Sequence, residues 1–209
     1  MPQPFNQFSQ FIDAVQATIN EHQDEVTELD RAIGDGDHVI NLQRGLDALN
    51  AITDELDTLA WPEALMKIGM TLMSTMGGAS GSLFGTLFIS MAKIAKGKEL
   101  NSLNLADAFS HGVESVKLRG KADLGEKTML DTLIPVANSF STDIDNKVEF
   151  ELLLENITQA AIEGMQSTKE LMATKGRASF LGERSIGHID AGARTSQLMI
   201  CAIVDVLNQ

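Results

Sequence analysis

Residues 42–59 read Leu42-Gln-Arg-Gly-Leu46-Asp-Ala-Leu49-Asn-Ala-Ile52-Thr-Asp-Glu-Leu56-Asp-Thr-Leu59. The leucines and the isoleucine recur every three or four residues, which places them on one face of a helix. The same spacing is found elsewhere in the chain, at residues 8–19, 65–72, 83–94, 105–116, 128–140, 148–172 and 196–207. Strand-like alternation is scarce. We therefore predict an all-α fold of about eight helices, packed largely antiparallel because the connections are short.

Local signals indicate where these helices begin and end. Pro62 suits the first turn of one helix, and Asn104 can cap another. Residues 97–102 and 141–146 contain many turn-forming residues, so we predict turns there. No linker is long enough to divide the chain, and we therefore predict a single domain over residues 1–209.

The composition excludes several classes of protein. The formal net charge is -13, which argues against a nucleic-acid partner because phosphate backbones attract basic surfaces. No apolar run reaches the roughly 18 residues of a membrane span, and residues 1–6 lack the basic start of a signal peptide. Cys201 is the only cysteine, so no internal disulfide can form, and we predict that it is buried. These features predict a cytoplasmic protein that binds neither nucleic acid nor membrane.

Four segments depart from a plain pattern of helices and turns, namely 30–41, 77–82, 119–128 and 174–195. Function is often carried by such connections on a rigid scaffold. The charge is also uneven, because residues 1–60 contain twelve Asp and Glu but only two arginines, whereas residues 173–196 contain four Lys and Arg. If the fold brings these two regions together, an acidic metal-binding region beside a basic loop would suit the binding of a polyphosphate with Mg²⁺.

The first segment holds three carboxylates within eight residues, Asp30, Asp35 and Asp37. Gly34 and Gly36 alternate with them and allow the backbone to turn tightly beside a ligand. Carboxylates packed this closely repel one another unless a cation lies between them. Oxygen ligands without a nearby cysteine favour Mg²⁺, Ca²⁺ or Mn²⁺ over zinc. The alternative is a solvated turn or a helix cap.

Three familiar binding motifs do not fit the chain. Counted from Asp35, Ile40 and Leu46 stand where an EF-hand loop needs Gly and Glu. The four histidines are widely scattered, which argues against a zinc site. Residues 120–128 approach the P-loop pattern, but Glu126 replaces its lysine and no strand is predicted before it. The P-loop fold is therefore excluded, although a close approach of this backbone to a nucleotide stays open.

The remaining segments suit an anion. Residues 77–82 read Gly-Gly-Ala-Ser-Gly-Ser and are followed at once by an apolar helix, whose first N–H groups can hold a phosphate. Close packing of two helices explains the same small residues equally well. In the last segment Arg177 can clamp a phosphate, and Asp190 can cap the final helix.

In chain order the motifs are Asp30…Gly34-Asp35-Gly36-Asp37-His38…Asn41, Gly77-Gly78-Ala79-Ser80-Gly81, Gly176-Arg177-Ala-Ser-Phe-Leu-Gly-Glu-Arg-Ser185 and Asp190-Ala-Gly-Ala193. Together they resemble the nucleotide-binding L subunit family of the dihydroxyacetone kinases, in its bacterial, phosphotransferase-system-dependent branch. The resemblance covers essentially the whole chain. It implies a closed barrel of eight antiparallel amphipathic helices, with the nucleotide at one end. It also implies an enzyme, the phosphotransferase subunit of a dihydroxyacetone (glycerone) kinase.

The resemblance assigns roles to individual residues. Asp30, Asp35 and Asp37 match the aspartates that hold two Mg²⁺ ions on the diphosphate. Arg177 matches a nucleotide contact and is the residue we expect to stabilise charge on the γ-phosphoryl group. The full set of positions that match nucleotide contacts is His38, Val39, Ile40, Asn41, Gly78, Ala79, Ser80, Gly120, Met129, Arg177, Asp190, Ala191 and Gly192.

The resemblance also implies a division of labour between subunits. This chain would carry Mg-ADP or Mg-ATP and transfer the γ-phosphoryl group to dihydroxyacetone held on a separate K subunit. Its ADP would stay tightly bound and be recharged by a phosphohistidine protein of the phosphoenolpyruvate-dependent phosphotransferase system, with free ATP as the other donor. The alternative is a regulatory paralogue that binds Mg-nucleotide without turnover. The oligomeric state stays open, with a homodimer as one option.

Two positions depart from the family pattern. Val39 stands where Gly is usual, and a β-branched residue cannot adopt a backbone open only to Gly. Its effect depends on whether the position lies in ordinary helical space. Ala191 stands where Pro is usual, which loses some rigidity but no ligand.

Overall fold

The computed structural model describes residues 8–209, and every regular element in that range is helical. The predicted all-α fold is therefore confirmed, whereas the residues at which a signal peptide would begin lie outside the described range. The ten α-helices and one 3-10 segment, numbered in chain order, are α1 Phe8–Glu21, α2 Gln23–Ile33, α3 His38–Asn50, α4 Thr53–Leu56, α5 Trp61–Thr75, α6 Gly78–Ala95, α7 Ser102–Gly120, α8 Leu130–Asp145, α9 Phe150–Ser167, the 3-10 segment Arg177–Ser185 and α10 Ala191–Leu207.

The helix count is higher than predicted, for two physical reasons. Helix α2 was missed because its apolar face is short: Val26 and Ile33 are its only buried residues, with partly buried Leu29 between them. The stretch 42–59 is not one helix, since α3 ends at Asn50 and a turn precedes the four-residue α4. The apolar face runs across this turn because both pieces pack on the same core.

Several predicted helix ends need correction. The cap of α7 is Asn101, whose side chain accepts a hydrogen bond from the backbone N–H of Asn104 at 2.8 Å. Helix α8 continues through the predicted turn at 141–146 as far as Asp145. Buried Asp143 is tolerated there because the amide of Asn156 donates to its carboxylate at 3.0 Å. Pro62 does lie in the first turn of α5, as predicted.

Most of the longer helices contact their neighbours in chain order from α5 to α10, and α10 also packs against α1. Helix α3 contacts both α1 and α5, and α2 lies against α10, α3 and the 3-10 segment. This order of contacts is what an up-and-down bundle produces. The closed barrel implied by the resemblance stays a prediction.

The core is continuous and apolar. Its largest cluster joins buried side chains from every described α-helix except α9. The bundle also encloses a cavity of about 290 Å³, lined almost wholly by apolar side chains. This cavity offers no charged group to a polar ligand. Cys201 is half-buried rather than buried.

Within residues 8–209, no helix combines the length and the apolar character that crossing a membrane would require.

Candidate functional site

The three carboxylates of the first segment converge in space. Asp30 lies in the last turn of α2, and Asp35 and Asp37 lie in the loop that joins α2 to α3. One carboxylate oxygen from each lies within 4.8 Å of the others. The loop folds back on Asp30, because the backbone N–H of His38 donates to Asp30 Oδ2 at 3.1 Å.

The two glycines of this loop are required by its geometry. A Cβ on Gly34 would clash with Asp30 Oδ1, and Gly36 has a φ of +76°, a conformation that side chains rarely adopt. Short oxygen ligands on a tight turn, without sulfur or imidazole ligands among them, fit a hard divalent cation such as Mg²⁺. The residues present therefore fit the metal that the sequence pattern implies.

Arg177 brings the last segment to this cluster. Its Nη2 lies 2.8 Å from Asp35 Oδ2, although most of the guanidinium is exposed. The 3-10 segment that carries Arg177 lies against α2, where Ile33 packs with Ala173 and Ala178. The acidic region and the basic loop thus meet in space, as the charge distribution suggested.

The glycine turn lies beside the first turn of α3. A Cβ on Gly77 would clash with Asn41 Oδ1, and one on Gly81 would clash with the carbonyl of Met76. Close packing therefore explains these two glycines. Gly78 and Ala79 are exposed, and no side chain caps the start of α6. The N–H groups of this first turn are thus open to an anion.

The other predicted contacts lie at the same end of the bundle. Arg119, beside Gly120 at the end of α7, donates from Nε to Ser82 Oγ in the first turn of α6 at 2.9 Å. Gly192, in the first turn of α10, faces Met129, whose backbone N would lie 3.6 Å from an added Cβ. The structure therefore gathers the starts of α3, α6, α8 and α10 with the ends of α2 and α7.

His38 links the carboxylate loop to α10. Its Nε2 lies 3.0 Å from Oγ1 of buried Thr195. That hydroxyl donates to the carbonyl of Gly192 at 3.2 Å, so it accepts from the ring, and we assign the proton to Nε2. Burial lowers the pKa of His38, against the opposing effect of Asp30, Asp37 and Asp35. The neutral ring is thus favoured at neutral pH.

Asp190 caps α10, as predicted. Its carboxylate accepts from the backbone N–H of Ala193 at 2.8 Å. Burial raises its pKa to about 6, while the hydrogen bond from Ala193 acts in the opposite direction. Ala191 is the first residue of α10, a position that proline commonly takes, so alanine preserves the local conformation.

Val39 is helical and faces inwards. It is the second residue of α3 and is 2% exposed. Its φ is not among the positive values in the described chain. The β-branched side chain therefore packs in the core, and it requires no backbone conformation that only glycine can adopt. Ile40, by contrast, is exposed.

The near-match to a P-loop has a different structure. Residues 121–128 follow the end of α7, and Lys127 is 1% exposed with a φ of +61°. Its Nζ donates to the carbonyls of Thr168 and His188. Glu126 instead accepts from Thr174 Oγ1 at 3.0 Å. Lys127 therefore connects two segments of the chain from the protein interior, and its ammonium group does not face a phosphate.

The sequence analysis did not identify the residues that hold the loops and α2 in place around the site. Buried Thr195 and Lys127 hold the loops of the site through contacts between distant parts of the chain. Arg194 reaches α2, where Nε and Nη2 donate to the two oxygens of Glu25 at 2.8 and 2.9 Å. Their local sequence carries no signal of these partners, since each pairing depends on the tertiary fold.

The chain is similar in sequence to known proteins. The DAK2 domain family matches residues 32–205. The ADP-binding subunit of the PEP-dependent dihydroxyacetone kinase 1 of Listeria innocua is 41% identical over 186 residues, covering 89% of this chain and 88% of that protein. The corresponding subunit of Escherichia coli K12 is 41% identical over 179 residues, covering 84% of each. The Lactococcus lactis PTS-dependent counterpart is 38% identical, covering 90% and 91%.

A solved structure shows the same fold. The dihydroxyacetone kinase of C. freundii, crystallised with AMP-PNP and Mg²⁺, superposes with a TM-score of 0.72 at 23% identity. The match covers 93% of this chain, which spans about a third of that kinase, 33% of its length. This match shows the shared fold, and the sequence relatives above place the chain in a family of phosphotransferase subunits. The chain belongs to the family of dihydroxyacetone kinase ADP-binding subunits, whose DAK2 domain it carries over residues 32–205.

Proposed function

We propose that this chain is the nucleotide-carrying subunit of a multi-component dihydroxyacetone kinase. It would transfer the γ-phosphoryl group of a bound nucleotide to dihydroxyacetone held on a separate K subunit. The observation that carries the proposal is the convergence of Asp30, Asp35 and Asp37 with Arg177 beside the open start of α6. Phosphoryl transfer needs this combination, because positioning and charge neutralisation dominate its catalysis.

Asp30, Asp35 and Asp37 are the proposed metal ligands. Mg²⁺ held there would neutralise phosphate charge and orient the diphosphate. The glycine-supported turn keeps the three carboxylates together before any cation binds, and their mutual repulsion is what a divalent cation would relieve. Two ions, as the resemblance implies, are part of the proposal.

The nucleotide is proposed to lie across the same end of the bundle. Backbone groups of exposed Gly78 and Ala79, of half-buried Ser80 and of the first turn of α3, from His38 to Asn41, would hold phosphates. Gly120, Met129 and the segment from Asp190 through Ala191 to Gly192 would flank the nucleoside. The contacts between Gly192 and Met129 support this grouping.

Arg177 is the proposed catalytic residue. It lies on an exposed loop and is aimed at the carboxylate cluster through Asp35, so it can move from the carboxylate to a phosphoryl group. A planar guanidinium suits the equatorial oxygens that carry charge in the transition state. We assign no general base to this chain, in keeping with a substrate that is activated on another subunit.

The face around the site is suited to a protein partner. Phe180 is 88% exposed and follows Arg177 by one turn, and Ile40 and Leu124 are also exposed on the loops and helix starts of the site. Large apolar side chains exposed together mark interaction surfaces. We propose that the K subunit docks here, because the phosphoryl group must leave from this face. The phosphohistidine protein that recharges ADP would use the same face in turn.

A reconstituted transfer reaction tests the proposal. The chain is mixed with the K subunit of a bacterial relative, dihydroxyacetone, ATP and Mg²⁺, and dihydroxyacetone phosphate is measured. We expect product only when both subunits are present, and none with Asp35→Asn. Product no higher than with the K subunit alone would overturn the proposal. Retained Mg-ADP without transfer from ATP or from a phosphohistidine protein would instead favour a regulatory protein.

Three further expectations stay predictions: the single domain over residues 1–209, the cytoplasmic location and a homodimer.

A further inference from the structure

Helix α2 carries a proposed metal ligand but is weakly anchored. Val26 and Ile33 are its only buried residues, and partly buried Leu29 adds one more contact to the core. Its sequence is also acidic, with Asp24, Glu25, Glu28 and Asp30 against one arginine. Mutual repulsion and a small apolar face leave the position of Asp30 dependent on other contacts.

Arg194 provides one of these contacts. Its guanidinium donates two parallel hydrogen bonds to Glu25, at 2.8 and 2.9 Å. The arginine side chain is 15% exposed, and this hydrogen bond is the main cause that lowers the pKa of Glu25. Bidentate arginine–carboxylate pairs fix orientation as well as distance. Since Glu25 precedes Asp30 by about 7.5 Å along the helix axis, the pair sets where Asp30 lies.

The residue after Arg194 holds the start of α3, which directly follows Asp37. Thr195 is fully buried, and its hydroxyl accepts from His38 Nε2 at 3.0 Å while donating to the carbonyl of Gly192. His38 follows Asp37 directly, and its backbone N–H binds Asp30. Adjacent residues of α10 therefore fix α2 and the start of α3 separately.

The same turn of α10 carries the proposed nucleoside contacts. Asp190 and Gly192 lie within five residues of Arg194 and Thr195, and Thr132 Oγ1 donates to the carbonyl of Ala193 at 3.1 Å. This rigid first turn of α10 is thus bound to α2 and the start of α3, which form the metal-ligand half of the site. The same turn belongs to the nucleotide half, which contains Asp190 and Gly192.

We propose that Arg194 and Thr195 are positioning residues that couple the metal-ligand half of the site to its nucleotide half. The inference rests on the proposed metal and nucleotide site and adds to it two residues that touch neither ligand. Removing either residue would let the carboxylates drift relative to the nucleotide, so that Mg²⁺ would strengthen nucleotide binding less.

The test measures ADP affinity at saturating Mg²⁺ and in EDTA, by isothermal titration calorimetry. The variants are Arg194→Met, Glu25→Gln, their double mutant, Thr195→Val and Thr195→Ser. We expect Arg194→Met and Thr195→Val each to lower the ratio of the two affinities by about threefold or more, the range of coupling changes that such residues produce. Thr195→Ser, which keeps the hydroxyl, should stay within twofold of the parent.

The double mutant distinguishes the proposed coupling from general destabilisation, because the effects of the two substitutions on the affinity ratio should not add. If Arg194 acts through Glu25, the double mutant should match the single mutants, because the second change removes nothing more. A merely structural role would lower the melting temperature without changing the affinity ratio. Lys98→Met is the matched control, since it breaks the Lys98–Asp107 ion pair beyond the far end of α6, and it should leave the ratio unchanged.

The outcomes are distinguishable. Unchanged ratios in Arg194→Met and Thr195→Val, or a double mutant whose effect is the product of the single effects, would overturn the inference alone. Glu25→Gln keeps the test valid if Arg194→Met folds poorly, because Glu25 is largely exposed. A parent protein that binds no ADP even with Mg²⁺ would overturn both this inference and the proposed function.

Discussion

The guanidinium of Arg177 lies 2.8 Å from the carboxylate of Asp35. The two residues belong to segments far apart in the chain, and their contact joins a basic loop of the site to the carboxylate cluster. Without a metal, the arginine supplies the positive charge that the proposed Mg²⁺ would otherwise supply to Asp35. We therefore expect the same side chain to compete with the cation and to serve the phosphoryl group after the cation binds.

Replacing Arg177 should separate these two roles. In Arg177→Met, the affinity for Mg²⁺ alone should rise about two- to fivefold, a modest gain because exposed ion pairs contribute little. Phosphoryl transfer should fall about 100-fold, since one donor to the transition state is lost. Calorimetry with Mg²⁺ and the reconstituted assay measure the two effects. Weaker Mg²⁺ binding in the variant would contradict the competition.

Replacing an exposed apolar side chain beside the site, such as Phe180, should selectively weaken partner binding. Phe180→Asp should weaken association with the K subunit at least tenfold, because a charge replaces a large apolar side chain at the docking face. Its affinity for Mg-ADP should be unchanged. Leu103→Asp is the control, since Leu103 is also exposed but begins α7 at the opposite end from Gly120. Equal weakening by both substitutions, measured by surface plasmon resonance, would rule out the proposed face.

The side chain of Val39 should support the core and should not crowd the phosphates. Val39→Gly is expected to lower the free energy of unfolding by about 2–3 kcal/mol, since it removes a buried side chain and frees the backbone. Val39→Ala should cost about 1–2 kcal/mol. Neither variant should bind Mg-ADP more tightly than the parent. Tighter binding by Val39→Gly, at unchanged stability, would show that valine crowds the phosphates after all.

Asp190 should make the ligand-free protein less stable as pH rises. Its folded pKa of about 6 lies above its ordinary 3.8, so the folded state holds the proton more tightly. Its stabilising contribution is present below pH 4 and is lost as the pH rises through 6. Asp190→Asn, which resembles the protonated acid and still caps α10, should be about 2–3 kcal/mol more stable than the parent at pH 7.

This advantage should disappear near pH 4, where the parent carboxyl is itself protonated. Urea unfolding at the two pH values measures it. A difference between parent and variant that is the same at pH 4 and pH 7 would show that Asp190 titrates normally.

Helices with a continuous apolar stripe were predictable from the sequence, and those stabilised by polar contacts were not. Residues 8–19 and 83–94 form helices where the spacing predicts them. Helix α2 escaped prediction because Glu25 holds it to α10 through Arg194, a contact between residues 169 apart in the chain. The end of α8 resembles a turn in sequence, yet it stays helical because Asn156 satisfies Asp143.

The candidate site shows the same division. Asp30, Asp35, Asp37 and the glycines beside them were recognisable locally, because charge crowding and a tight turn leave a pattern within a few residues. The residues that support the site were not recognisable, since the hydrogen bond from His38 to Thr195, for example, spans 157 positions. Lys127 also had no local signal, because its partners are backbone carbonyls, which every residue possesses.

The central claim is that the three aspartates form a metal-dependent nucleotide site. Native mass spectrometry of the protein, purified and dialysed in Mg²⁺, tests it directly by weighing any nucleotide that stays bound. We predict ADP with Mg²⁺ on the parent protein, lost on adding EDTA and absent from Asp35→Ala, while circular dichroism shows the same helical content. Equal retention of nucleotide by Asp35→Ala, or unfolding of that variant, would contradict the account.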